Sequence, residues 1–162
     1  MVICEARTQT STAIFSDDRL YRYELTRVWD DAQPSMGFVM LNPSTADAHE
    51  DDPTIRRCKQ YAKDQGFGGI VVVNLYAYRS PEPSDLWTVE DPVGPENDAF
   101  VEGLKSRCSK IVVAWGKNAT EERVREVLPL LGDDLYCLCK NADGSPHHPL
   151  YIHEITGEAW PA

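Results

Sequence analysis

The residues with the most chemistry to offer stand just beyond apolar runs. His147 and His148 lie in "DGSPHHPLY" (143–151), between Pro146 and Pro149. Histidine is the side chain most easily poised between charge states near neutral pH, and flanking prolines fix the local backbone. Asn42 follows Phe38–Leu41 in "MGFVMLNPSTAD", Asn74 ends the apolar part of "GIVVVNLYAY", and Trp115 and Gly116 end "KIVVAWG". The four segments "LNPSTAD", "NLYAYRSPEP", "WGKNA" and "NADGSPHHPLY" are each rich in Asn, Ser, Pro or His. They form one site only if the strands before them run the same way.

The pattern predicts that they do. Continuous apolar runs suit parallel strands buried on both faces, and such strands are expected near residues 37–41, 69–75, 110–115 and 134–139. Between the first two, "DDPTIRRCKQYAKDQG" carries helix signals: Asp52 as N-cap, Pro53 at the first helical position, Ile55, Cys58 and Ala62 as a stripe, and Gly66 as the stop. "NDAFVEGLKSRC" and "NATEERVREVLPLL", the latter capped by Asn118, are the other helices expected. "TAIFSDDRLYRYELTRVWD" alternates with strand period around "SDD" and predicts a hairpin at one sheet edge or over one face. The proline-rich stretch 77–96 is expected as an ordered, irregular loop, a length usually functional in compact domains. The sum is one α/β domain over residues 1–162: a three-layer sandwich with a central four-stranded, mainly parallel sheet and an N-terminal β-hairpin. Open parallel sheets bind ligands beyond the carboxyl ends of their strands. The two histidines are therefore expected over the same edge as Asn42, Asn74 and Trp115.

Bulk properties narrow the function. At 162 residues the chain suits one core, and its formal charge is −10, with 26 acidic against 16 basic side chains. Phosphate contacts supply most non-specific affinity for nucleic acid, so tight binding to plain duplex is not expected. Arg56, Arg57 and Arg79 are the best local phosphate contacts. No run approaches the roughly 18–20 apolar residues of a membrane span, and "MVICEARTQT" does not read as a secretory signal, which leaves the cytoplasm as the expectation. The five cysteines read as free thiols, with Cys58 and Cys108 on helix faces and Cys137 and Cys139 on one side of a strand. A metal site from His147, His148, His153 and Cys139 has no recognised spacing, and no cofactor is expected.

The series "FVMLNPSTAD", "NLYAYRSPEP", "DPVGPENDAF", "VVAWGKNA" and "NADGSPHHPLY" closely resembles a bacterial and phage family, domain of unknown function 1643, from Ala13 to Tyr151. That family brings no activity with it. A remoter resemblance does. The motif order is similar to that of the uracil-DNA glycosylase superfamily, which has a four-stranded parallel sheet, a first loop with Asp-Pro or Asn-Pro, a strand ending in Asn, a strand ending in "WG" and a final "HPS" loop. The counterparts here are Asn42-Pro43, Asn74, Trp115-Gly116 and His148-Pro149.

That resemblance implies hydrolysis of the N-glycosidic bond of a modified or mismatched base, in DNA or in a nucleotide. Asn42 would position the attacking water; an amide orients water but is no strong base, so the site would lean on stabilising the leaving base. Asn74 would read the base's amide edge, and His148 would donate to its carbonyl oxygen. Tyr76, Tyr78 or Trp87 would stack on the base, with Ser44, Arg79, Trp115 and His147 as further substrate-binding candidates. The partner would be a nucleobase, a nucleotide or modified DNA. Two departures stand out: "HHPLYI" lacks the serine after "HP", and "NPSTAD" lacks the aromatic residue that excludes thymine. A non-catalytic protein holding a nucleotide, a modified base or a basic partner is the alternative. Asn42 to Thr45 would then simply turn the chain and cap a helix, and Asn74 would cap its strand end.

Overall fold

The computed structural model describes residues 1–6 and 10–161. Its strands are β1 (Val2–Ala6), β2 (Thr10–Phe15), β3 (Arg22–Val28), β4 (Ser35–Met40), β5 (Gly69–Asn74), β6 (Cys108–Val113) and β7 (Leu135–Tyr136). Its α-helices are α1 (Pro53–Asp64), α2 (Asn97–Arg107) and α3 (Glu121–Leu131). The fold class is α/β. The expected sheet of four strands is replaced by one of seven, mixed in direction, in the order β1-β2-β3-β5-β4-β6-β7.

The parallel half comprises β5, β4, β6 and β7, with β4 between β5 and β6. The first parallel strand in sequence is thus interior, and the chain leaves it toward both sides. That switch point opens a crevice beyond its carboxyl end. The other half is antiparallel: β1 on β2, β2 on β3, and β3 directly on β5. The expected hairpin is therefore continuous with the main sheet and is extended by β1, which the sequence pattern did not reveal.

The physical reason lies in β3. "RYELTRV" looks like a strand with one wet face, yet six of its seven residues are buried. Glu24 meets Arg107, and Arg27 pairs with Asp51 at 2.8 Å. Paired charges tolerate burial that lone ones do not, so polarity on this strand does not mark solvent.

Helix α1 covers one face and α2 with α3 the other. The Asp52 carboxylate accepts from the Ile55 N–H at 2.8 Å, and Pro53 needs no partner for a missing N–H. From that start Ile55, Cys58 and Ala62 pack on Phe38, Ile70 and Val72. On the opposite face Val101, Leu104, Val127 and Leu131 pack on Val39, Val73 and Val113. The alternation of Phe38 and Val39 between these clusters is the period-two pattern of a strand buried on both sides. Gly37 admits α2 closely: a Cβ there would stand 3.4 Å from Leu104 Cδ1.

Four local expectations are corrected. Helix α3 is capped by Thr120, whose hydroxyl accepts from the Arg123 N–H, rather than by Asn118. Cys108 opens β6 instead of lying on a helix face. Part of the loop after residue 77 winds into a 3-10 helix, Pro83–Thr88. The last strand stops at Tyr136 because the chain beyond it finds other partners. Cys137 N donates to the Glu158 carbonyl, and the N–H groups of Thr156 and Gly157 donate to that of Leu138. Trp160 N likewise donates to the Leu135 carbonyl, so segment 156–160 runs along the outer edge of β7. All five cysteines are free.

Candidate functional site

Beyond the carboxyl ends of β4 and β5 lies a cavity of about 290 Å³, lined among others by Arg22, Asn42, Ser44, Asp52, Asn74 and His148. Asn42, Asn74 and His148, far apart in sequence, thus share one wall system. Each is held by a different device.

Asn42 leaves β4 into the Asn-Pro turn. Its Nδ2 donates to the carbonyls of Ser80, at 2.8 Å, and Pro43, at 3.2 Å. Ser80 N returns a bond to the Pro43 carbonyl at 2.9 Å. The turn is thereby tied to the long loop, and the Asn42 Oδ1 is left as an acceptor.

Asn74 is the last residue of β5 and only 1% exposed. Its backbone carbonyl accepts from Asn97 Nδ2 at 2.9 Å, while Asn97 and the Arg123 Nε both donate to the next carbonyl, of Leu75. The strand end is thus fixed by two other buried side chains. Its own amide is different: neither Nδ2 nor Oδ1 has a partner. Buried polar groups are nearly always paired, so an orphaned amide on a cavity wall is a group waiting for a ligand or water.

His148 comes from the loop after β7. Gly116 N donates to the Pro146 carbonyl at 2.8 Å, and His147 N donates to that of Cys139 at 2.9 Å. Gly116 takes a φ of +77°, the left-handed region where a side chain is strained, so the "WG" dipeptide is what lets the β6 loop grip the histidine loop. Leu150 N donates to His148 Nδ1 at 3.2 Å. An Nδ1 that accepts leaves the proton on Nε2, which makes Nε2 a donor. Burial, with His147 beside it, holds the imidazole below its ordinary pKa, against an opposing pull from Asp52. His148 is therefore a neutral hydrogen-bond donor at neutral pH.

Two lining residues were not singled out as site residues in the sequence. Asp52 was read as a helix cap, which it is, but only Oδ1 is spent on the cap, and Oδ2 remains an acceptor beside the cavity. Arg22 falls in the alternating pattern of the hairpin, which assigns it no role. It is 2% exposed, and burial pushes its pKa down to about 10 with Asp52 opposing. No local signal separates a strand arginine facing water from one facing a cavity.

The remaining candidates divide. Ser44 lines the cavity. Trp115 and His147 line a neighbouring hollow of about 440 Å³, which shares Pro83, His148 and Leu150 with the first. Trp115 packs edge-on against Trp160 at 5.2 Å. Tyr76 does not line the cavity; it is buried in the core under α2 and α3, with its hydroxyl 3.1 Å from that of Thr120. Tyr78 packs edge-on against Tyr21, and Trp87 edge-on against Tyr76. Arg79 lies outside the cavity, its guanidinium 4.6 Å above the Phe15 ring and donating to the Arg19 carbonyl.

Among the described residues, no group of three or more His, Cys, Asp or Glu side chains is arranged to hold a metal ion. No helix of the described residues is long and apolar enough to cross a membrane. A family model described as "Protein of unknown function (DUF1643)" matches residues 22–150. No curated protein and no solved structure matches the chain.

Proposed function

The chain belongs to the DUF1643 family, and from that premise and its cavity we propose that it binds a nucleobase, in DNA or in a nucleotide, and hydrolyses its N-glycosidic bond. The carrying observation is the convergence of Asn42, Asn74 and His148 on one cavity, with the Asn74 amide unsatisfied. A nucleobase edge offers the alternating donors and acceptors that such an amide lacks. The motif order resembling the uracil-DNA glycosylase superfamily supports the same reading.

In the proposed step the C1′–N bond breaks, its electron pair leaves with the base, and water oxygen bonds to C1′. Asn42 Oδ1 orients that water, and Asp52 Oδ2 accepts its proton. His148 donates from Nε2 to the base carbonyl on which negative charge builds. A donor of this kind acts mainly in the transition state.

Base release tests the reading directly, using uracil, hypoxanthine, mismatched thymine and hydroxymethylated bases in single- and double-stranded DNA and as free nucleosides and nucleotides. His148→Ala is expected to lower turnover by about 3–4 kcal/mol of barrier while changing affinity far less. The Asn74 amide would be completed by binding alone, and this favours one second reading, a binding protein without catalysis. Binding of a base with release of none would establish that second reading and end the first.

A further inference from the structure

The cavity holds a positive charge that the proposed step does not use. Among the described residues, the buried arginines are Arg22, Arg27 and Arg123. Two of them are fully accounted for. Arg27 pairs with the Asp51 carboxylate and donates to the carbonyls of Thr26 and Glu50. Arg123 pairs with Asp98 and Glu126 and donates to the carbonyl of Leu75. Arg22 is the exception. Its Nη1 donates to the Ala46 carbonyl at 2.9 Å, its Nε has no partner, and it is in no ion pair among the described residues.

Taking a cation out of water without a counterion is costly. Asp52, which lines the same cavity, and Asp47 offset part of that cost without forming an ion pair with Arg22, whose Nε is left without a hydrogen bond. The open side is also the informative one. With Nη1 tied down, the free edge of the guanidinium is the one carrying Nε and Nη2, whose two parallel N–H bonds match the paired oxygens of a carboxylate or phosphate. Asn74, with both amide atoms unpartnered, lines the same cavity.

We propose that Arg22 and Asn74 form an oxyanion-binding end of the cavity, and that its ligand carries a carboxylate or a phosphate there. Two oxygens of the anion accept from Arg22 Nε and Nη2, and Asn74 reads the polar group next to them. This deepens the nucleobase reading by naming the ligand's charge, and it rests on that reading only for the ring.

Calorimetry on the full chain with four probes tests it: uracil, orotate (the same ring bearing a carboxylate), deoxyuridine 5′-monophosphate and inorganic phosphate. Orotate or the monophosphate is expected to bind at least about tenfold tighter than uracil, and which of the two does so identifies the anion's source. Arg22→Gln is expected to weaken that anionic probe roughly a hundredfold and abolish its advantage over uracil. Arg22→Lys, which keeps the charge without the fork, should fall between; if Arg22→Gln does not fold, this variant and the wild-type ranking decide. The proposal is overturned if wild type binds uracil as tightly as both anionic ring probes, if it binds no anionic probe, or if the Arg22 variants keep the anionic preference. Uracil binding as well as both orotate and the monophosphate leaves the base pocket standing without the anion site. Phosphate bound through Arg22, with no ring compound bound, does the reverse.

Discussion

At the scale of single residues, the site is built from groups that the folded chain leaves unfinished. Asn74 is the clearest. Leucine has a similar shape without polar atoms, so Asn74→Leu is expected to stabilise the unliganded fold by about 1–3 kcal/mol while removing ligand binding. Urea unfolding measures the first effect and calorimetry the second; a loss of stability instead would mean that the amide is already satisfied. His148 adds a pH signature. Its folded pKa lies below the ordinary 6.5, so between the two values the unfolded chain takes up a proton that the folded one refuses. Stability is then complete above pH 6.5 and declines as the pH falls toward the lowered value. Unfolding free energies followed downward from neutral pH should therefore fall more steeply for wild type than for His148→Gln. Asn42 and Asn74 were legible because a polar residue ending a long apolar run announces itself, and His148 because a histidine pair held between prolines does. Arg22 and the depth of Tyr76 were not, since both follow from contacts with Ala46 and Thr120, partners that no local pattern connects to them.

Elements carry the next level of the argument, and α1 is the informative one. Asp52 is both its cap and a cavity carboxylate, and two substitutions separate these roles. Asp52→Ala is expected to cost about 1 kcal/mol of stability. Asp52→Asn keeps a capping oxygen, so it should cost little stability and yet lower turnover if Oδ2 takes the proton from water. Thermal melts and base-release rates on the two variants read the difference. Both ends of this helix were visible in the sequence, because cap, proline and Gly66 are local signals. The parallel strands were visible for a related reason, their apolar runs being unbroken. The interior place of β3 was not legible because Glu24 and Arg27 are paired by residues from distant elements. β7 was read too long because what ends it is the backbone of residues 156–160 rather than a residue of its own.

The whole molecule sets the terms on which any partner arrives. With a formal charge of −10 and Arg79 turned onto Phe15, binding to unmodified duplex is expected to be weak at physiological salt. Fluorescence anisotropy across a salt series checks this; tight binding with a steep salt slope would contradict it. The segment that borders β7 has a consequence at this scale as well. An uncovered strand is a template on which another molecule's strand can grow, and here residues 156–160 already occupy that template. The same segment places Trp160 against Trp115 and sends its indole N–H to the Gly144 carbonyl, just before the histidines. A protease that nicks this strip would therefore do two things at once: bare an edge on which aggregates can seed, and slacken the loop that aims His148.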